Sequence, residues 1–412
     1  MRRLDKSVER HLCRTTQNWN ERLHDPRRRK GRRWRFTALM NAAWAGVLSA
    51  SKNLRHVETL TERMGTRVPD STLHDLLAAL PPKQIDRLLV SEVRKAQRAK
   101  ELTPTLPFSV VAVDGKAIWS GDYKANRYCQ RQTQEDGSSE QYVMKVVRAT
   151  LVSGPCRVMI GQRPVPAKGA EMSTFPAFLR DLLRNYGRSD LIDVLSCDAG
   201  YISEKNARLI DNALRGYVLA LKNPQKELVD EAGRLLGGRT QPDAETSWQR
   251  YNGKRIRRLL YRTIEMAGYN GWSHLREVWR VSQETESSGG TVTVEERYFV
   301  TNLPPGRTSG DIPLHIVRAH WGIENNANWT MDTVWKEDAC PWIAAAVEVI
   351  ALMRLLAFNV VMRLRTRHLR SEKNRTRAWH NLIELVTDVV LCGRLSAEEL
   401  FGTKERELVV LG

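Results

Sequence analysis

From Phe36 to Ser51 the apolar residues Leu39, Ala42, Ala43, Val47 and Leu48 recur near helical spacing, which predicts a helix. A second helix starts at Asp70-Ser71, carries Leu73, Leu76, Leu77 and Leu80 on one face, and stops at Pro81-Pro82. A third runs from Gln84 towards Lys100. The first hundred residues therefore read as a small all-helical unit, followed by a stiff linker, Thr103-Pro104-Thr105-Leu106-Pro107. The texture then changes. Ser109-Val110-Val111-Ala112-Val113-Asp114 is a continuous apolar, β-branched run, the pattern of a buried strand. Residues 144–153 and 156–165 predict two more strands joined at Gly154-Pro155. A helix over 174–186 carries Phe175, Phe178, Leu179, Leu182 and Leu183. A strand over 191–197, a helix capped by Ser203 and a strand over 216–221 complete the series. Three strands, a helix, a strand, a helix and a strand predict a mixed α/β sheet.

Residues 239–303 break that rhythm with alternating segments such as Arg255–Tyr261 and Val292–Val300, separated by turn signals at Asn252-Gly253 and Gly289-Gly290. They predict a β-rich insertion. After Pro304-Pro305-Gly306 the pattern is helical to the end, with an apolar helix near 343–362 and a basic run containing Arg363, Arg365, Arg367, Arg370, Lys373, Arg375 and Arg377. The expected division is a helical unit over 1–105, the first part of the α/β core over 106–224, the insertion over 225–305 and a helical region over 306–412.

Charge adds a partner to this picture. The chain carries a net +18, and residues 1–100 hold 23 Lys or Arg against 10 Asp or Glu, so +13 of the total lies there. Seven of the nine residues from Arg27 to Arg35 are basic (Arg27, Arg28, Arg29, Lys30, Arg32, Arg33 and Arg35) and repel one another, which predicts an extended segment awaiting phosphate. Such an excess points to a polyanion, because neutralising nucleic-acid phosphates releases condensed counterions; a basic, well-solvated surface is the plainer reading. Six scattered cysteines without a Cys-x-x-Cys pair give neither a disulfide framework nor a zinc ribbon. They read as reduced thiols. The amino terminus lacks the apolar run of a secretory signal, and no unbroken apolar stretch approaches the roughly 18 to 20 residues of a spanning helix. The expected location is the cytoplasm, with no membrane partner.

Candidate chemistry sits at strand ends. Asp114 closes the first core strand and Asp198 closes a later one, where α/β sheets gather ligand-binding groups. Either alone reads equally well as a turn former or helix cap. Two carboxylates close together raise each other's pKa, and a hard divalent cation, Mg²⁺ or Mn²⁺, relieves this. The third candidate is Glu324, in His320-Trp321-Gly322-Ile323-Glu324-Asn325-Asn326. On a continuous helix it would share a largely apolar face with Val317, His320, Trp321, Asn328 and Met331. A structural pairing of Glu324 with Arg318 is the alternative.

The stretch Val317–Asn325 with Trp329, Asp332, Glu337 and Asp338 resembles the carboxyl-terminal signature of H-repeat-associated bacterial insertion-sequence transposases, DDE-type enzymes with a ribonuclease-H-like core. Asp114-Gly115-Lys116, Lys168-Gly169-Ala170-Glu171, Asp198-Ala199, and Tyr217–Lys222 fall in the same order, and Asp25-Pro26-Arg27 with Gly31 is similar to that group's amino-terminal part. The resemblance implies a ribonuclease-H-like mixed sheet with a β-rich insertion, a helical DNA-binding domain before it and helices after it. It implies that Asp114, Asp198 and Glu324 are catalytic and hold Mg²⁺, with Mn²⁺ as a substitute, and that element ends are cut and joined to target DNA. Two ions about 4 Å apart would serve an in-line displacement. It implies double-stranded DNA (terminal repeats and target) as partner, and a homodimer on DNA in a bacterial, nucleoid-associated setting. Around the Glu, the wider superfamily's Tyr, Arg and Lys positions are Val317, His320 and Met331 here, so Arg318, His320 and Asn328 become the candidates for holding end phosphates, together with Arg27, Arg28, Arg29, Lys30, Arg32 and Arg33. Asn328-Trp329 stands where His-Trp is expected. One of Trp248, Trp272 and Trp279 could stack on an extruded base, although a core role is the plainer reading. The rival readings are a catalytically silent, domesticated DNA-binding protein of transposase descent and a ribonuclease-H-like nuclease without joining activity.

Overall fold

In the computed structural model, residues 3–28, 32–133, 140–222, 225–251, 253–339, 342–392 and 396–402 are described. The mixed α/β class expected from the sequence is what the structure has, with helices at both ends of a large mixed sheet. The strands are β1 (Val110–Gly121), β2 (Cys129–Thr133), β3 (Glu140–Leu151), β4 (Met159–Pro164), β5 (Val194–Cys197), β6 (Gly216–Ala220), β7 (Ala244–Glu245), β8 (Gln249–Tyr251), β9 (Lys254–Thr263), β10 (Glu277–Glu286) and β11 (Val292–Thr301). They form one sheet in the order β2-β3-β1-β5-β6-β11-β10-β9-β7, with β4 added on β3 and β8 on β9. β1 runs antiparallel to β3 and parallel to β5, and β5 runs parallel to β6. The insertion continues the same sheet, because Phe299–Thr301 of β11 pairs antiparallel with Val218–Ala220 of β6.

The helices are α1 (Arg3–Thr16), α2 (Phe36–Leu48), α3 (Leu54–Arg63), α4 (Asp70–Ala79), α5 (Pro82–Arg98), α6 (Glu171–Tyr186), α7 (Glu204–Asn212), α8 (Lys226–Leu236), α9 (Ile312–Gly322), α10 (Trp329–Trp335), α11 (Val347–Arg363), α12 (Glu372–Arg375), α13 (Trp379–Cys392) and α14 (Ala397–Phe401). α11 is buried around nearly its whole circumference, as expected of a helix apolar on every side. The helical stretch Ala344–His368 is long and apolar enough to cross a membrane by length and composition, and here it is the central rod of a bundle. The amino-terminal helices are part of that bundle. Trp335 Nε1 donates to Val47 O at 2.8 Å, Trp342 Nε1 to Ser51 O at 2.7 Å, and His11 Nε2 lies 2.8 Å from Val360 O. One continuous apolar cluster runs from Val8 through Leu88 and Phe178 to Phe358 and Phe401. The helices read as a separate unit over 1–105 thus share their core with the helices after residue 346.

Candidate active site

Val110–Val113 are fully buried, and the register pairs Val113 with Cys197 on the adjacent parallel strand β5. The next residue on each strand is an aspartate. Asp114, inside β1, and Asp198, just past the end of β5, therefore stand side by side on neighbouring strands spaced about 4.8 Å apart; β1 runs on to Gly121 along β3, so the strand end expected at Asp114 is not there. Across the antiparallel pairing, Asp114 faces Arg148 of β3. Its Oδ1 accepts from the Gly115 N–H at 2.7 Å. Gly115 has a steric reason to lack a side chain, since a Cβ there would lie 3.0 Å from the Tyr201 hydroxyl.

Glu324 arrives on a helix that crosses these two strands. α9 packs on β1 and β5, then the backbone widens into a π-helical turn over Ile323–Asn328 before α10 resumes the α pitch. A π turn inserts an extra residue and resets the phase of the next helical segment, and such turns concentrate at functional sites. The single uninterrupted face expected for Val317, His320, Trp321, Glu324, Asn328 and Met331 is therefore broken at Glu324, which is exposed while Trp321 is half-buried and the other four are buried. The carboxyl of Asp114 is pushed up to about 7, first by burial and next by the negative charge of Glu324, with Asp198 adding to it; the Gly115 N–H and Arg148 oppose the shift. Asp114 therefore lies within electrostatic reach of both Glu324 and Asp198. Residues 114 and 198 are brought together by the strand register, and the charge of residue 324 is felt at Asp114.

Behind the carboxylates lies a polar scaffold that sequence reading missed. Asn328 Nδ2 donates to Asp114 Oδ2 at 3.0 Å, and its Oδ1 lies 3.4 Å from Arg148 Nη1. Arg148 has no solvent exposure and binds Glu337, equally buried, through two hydrogen bonds of 2.7 and 2.8 Å; Gln162 accepts a third at 2.9 Å. Lys116 pairs with Asp332. Two signatures far apart in sequence, Asp114-Gly115-Lys116 and the Asp332…Glu337 segment, are thus tied by two ion pairs that fix α10 against β1 and β3. Lys222 Nζ stands 3.8 Å from Asp198 Oδ2. The only signal for Arg148 in the sequence was an arginine inside an otherwise apolar strand.

The candidates for binding DNA separate in the structure. Arg318 is exposed. His320 is buried, with its ring hydrogen-bonded to the Ser196 backbone, and burial lowers its pKa to about 4; it is a neutral packing residue under Asp198, away from any surface that DNA could touch. Asn328 is likewise buried and spent on Asp114 and Arg148. Near the amino terminus, Arg27 and Arg32 fold back on Asp25, at 3.0 and 3.3 Å, and Arg27 also donates to Trp34 O. Arg27 and Arg32 are therefore pinned rather than free, because one half-buried carboxylate satisfies both charges. Arg28 and Arg33 are exposed, while Arg29 and Lys30 lie outside the described residues. In the second basic run, Arg363 is buried against Glu101 at 2.6 Å, Arg367 donates to Glu101 O, and Arg365 lies over Trp379 at 4.5 Å. Trp272 and Trp279 are core residues, and Trp248 lies beneath Arg255 and Arg257 at 5.0 and 5.1 Å.

Among the described residues, no group of three or more His, Cys, Asp or Glu side chains is arranged to hold a metal ion as it stands. The donor chemistry nevertheless fits a hard divalent cation. All three groups offer oxygen only, and the raised carboxyl of Asp114 records a concentration of negative charge that a cation would neutralise.

A mixed sheet with aspartates side by side on adjacent strands, and a glutamate on a later helical segment whose charge reaches one of them, is the arrangement of an acidic site. The family profile described as "Transposase DDE domain" matches residues 106–360, so the chain belongs to that family. It is 24% identical over 268 residues to "Putative transposase YncI" of Escherichia coli O157:H7, an alignment spanning 61% of each protein. The chain thus spans about three fifths of the length of that relative. A cryo-EM structure described as a piggyBac transposase synaptic complex with hairpin DNA aligns over 96% of this chain and 80% of its own, at 10% identity and a TM-score of 0.45, a likeness too low to carry an argument.

Proposed function

We propose that the protein is a DNA transposase of the insertion-sequence type, and that Asp114, Asp198 and Glu324 form its catalytic, metal-holding triad. The observation that carries this reading is that Asp114 stands beside Asp198 and feels the charge of Glu324, in a chain of this family. Asp114 and Asp198 are half-buried and held by Asn328, Gly115 and Lys222, so they are oriented before any ligand binds. Glu324 is exposed on a π turn, placed to face a phosphodiester lying over the two aspartates. Magnesium held by the three would supply charge neutralisation at the scissile phosphate and an activated oxygen nucleophile. The chain's own contribution is positional. Arg148 and Glu337 hold Asn328, and through it one oxygen of Asp114, while Lys116 and Asp332 keep α10 seated. The substrates would be double-stranded element ends and target DNA, with two copies acting together to join both ends.

The test is nicking of supercoiled DNA carrying the element's own ends, in Mg²⁺, by the wild type and by Glu324→Gln. Metal-dependent nicking at the ends, lost by at least a hundredfold in the variant, is the expected result. Equal rates would remove Glu324 from the site, and DNA binding without cleavage by either protein would favour a silent, domesticated binder.

A further inference from the structure

A cleft of about 460 Å³ opens beside Glu324, between the insertion and the α9–π-turn segment, and its charge is unbalanced. Arg157, Arg250, Arg258, Arg297 and Arg318 line it. Arg297 is paired with Glu295 at 2.7 Å, whereas the other four have no carboxylate partner among the described residues. Arg157 and Arg318 also line an adjoining cleft of about 350 Å³ that reaches Gly154, Pro155 and His315. The two clefts share Arg157 and Arg318 as a common wall, and together they make the groove beside Glu324 and its extension.

The groove gathers more positive charge than the carboxylates lining it balance. Arg258 is only 8% exposed, and its Nε lacks an acceptor. A buried guanidinium donor left unpaired costs far more than one in water. Burial disfavours the charge of Arg157 and of Arg258, and repulsion from Arg318 adds to it. Gly322 makes room for the arrangement, since a Cβ there would stand 2.7 Å from Arg157 Nη1. The guanidiniums of Arg258 and Arg297 lie over the Trp321 ring at 5.4 and 5.0 Å. That ring is already engaged by cations, so what the groove offers is guanidinium N–H groups and little free aromatic face. A duplex presents its phosphates on a broad convex surface, which cannot descend to a recessed group such as Arg258; a separated strand can.

We propose that this groove binds the phosphodiester backbone of a single DNA strand beside the active site, through Arg157, Arg258 and Arg318, by charge and shape and without reading bases. The identity of the polyanion as DNA rests on the transposase reading. Binding itself requires neither divalent ion nor chemistry.

The experiment is fluorescence anisotropy of a short labelled single-stranded oligonucleotide in EDTA across a salt series, with circular dichroism to confirm that each variant is folded. Arg157→Gln and Arg318→Gln should each weaken binding about tenfold, and removing the neutralisation of one phosphate should flatten the slope of log K against log salt by about 0.7. Gly322→Ala, which displaces Arg157 while leaving every charge in place, should act like Arg157→Gln. An abasic strand should bind within about twofold of the intact one, because phosphates carry the interaction. Unchanged affinity and slope in the arginine variants would overturn the proposal, as would an abasic strand bound at least about tenfold more weakly. The underlying reading fails separately. Glu324→Gln should bind the strand at least as tightly as the wild type, so binding by a wild type that never cleaves would leave the groove standing and remove the transposase. Cleavage with arginine variants that bind normally would do the reverse.

Discussion

Arg148 and Glu337 have no solvent exposure, and each is tolerable only because the other is present. Removing one member of such a pair strands a charge, whereas replacing both by apolar groups need not. Arg148→Met is therefore expected to lower the unfolding free energy by about 3–5 kcal/mol, measured by urea denaturation, and Arg148→Met with Glu337→Leu should recover much of that loss. A single variant as stable as the wild type would mean that Glu337 finds another partner or takes up a proton without cost. The same pair shows what residue-level reading can and cannot reach. Asp114 and Asp198 were legible because each ends an apolar run, although only at Asp198 does the strand end there; β1 continues to Gly121. Arg148 was not, because its meaning depends on the register that sets it opposite Asp114, and register is a property of two strands. His320 misled for a related reason. Its spacing from Glu324 was visible, but the strand end at Ser196 that buries it was not.

At the scale of elements, periodicity located β5, β6, α2, α4 and α6, where a single pattern persists over the whole segment, and only the first part of β1, whose apolar run stops at Asp114 while the strand goes on to Gly121. It missed α1, whose buried Val8 and Leu12 are outnumbered by charges, and β2, a five-residue strand with a mostly polar exposed edge. The π turn was beyond reach, since nothing in Ile323–Asn328 distinguishes six residues of π helix from six of α helix until α9 and α10 are both anchored. Those anchors are known: α9 lies on β1 and β5, and α10 is held by Lys116–Asp332 and Arg148–Glu337. The extra residue between them absorbs a mismatch of about 100° of helical phase. Deleting the exposed Asn326 should let the turn revert to α pitch, so that Glu324 and Asn328 can no longer both address Asp114. The expected outcome is loss of end nicking by at least a hundredfold with far-ultraviolet circular dichroism unchanged. Retained nicking would show that the phase of this turn does not matter to the site.

Across the whole molecule, basic charge divides into a part spent on cohesion and a part left over. Arg363 and Arg367 bind Glu101, Arg27 and Arg32 bind Asp25, and Arg157, Arg250, Arg258 and Arg318 gather instead beside Glu324. The cohesive part joins the two ends of the chain, and one of its joints is sensitive to acid. His11 of α1 is buried against Val360 O, 4.3 Å from the ring of His368 and near Arg363. Burial, followed by the charges of His368 and Arg363, holds its pKa well below the ordinary 6.5. The unfolded chain therefore takes up a proton near pH 6.5 that the folded chain refuses until lower pH. Between those two values the unfolded state binds more protons, so this group's contribution to stability is intact above about pH 6.5 and declines as pH falls through that window. His368, lowered mainly by burial, acts in the same direction. Glu92, a carboxyl raised by burial, pulls the other way, so the informative quantity is a difference between proteins. His11→Gln keeps a hydrogen-bond donor for Val360 O and cannot be charged. Between pH 7 and pH 5 the urea midpoint of the wild type should fall more than that of His11→Gln, and the protection of α1 amides from hydrogen exchange should fall with it. Identical pH dependence in the two proteins would mean that the joint between α1 and α11 yields before His11 is protonated, and that the ends of the chain are held together by their apolar contacts alone.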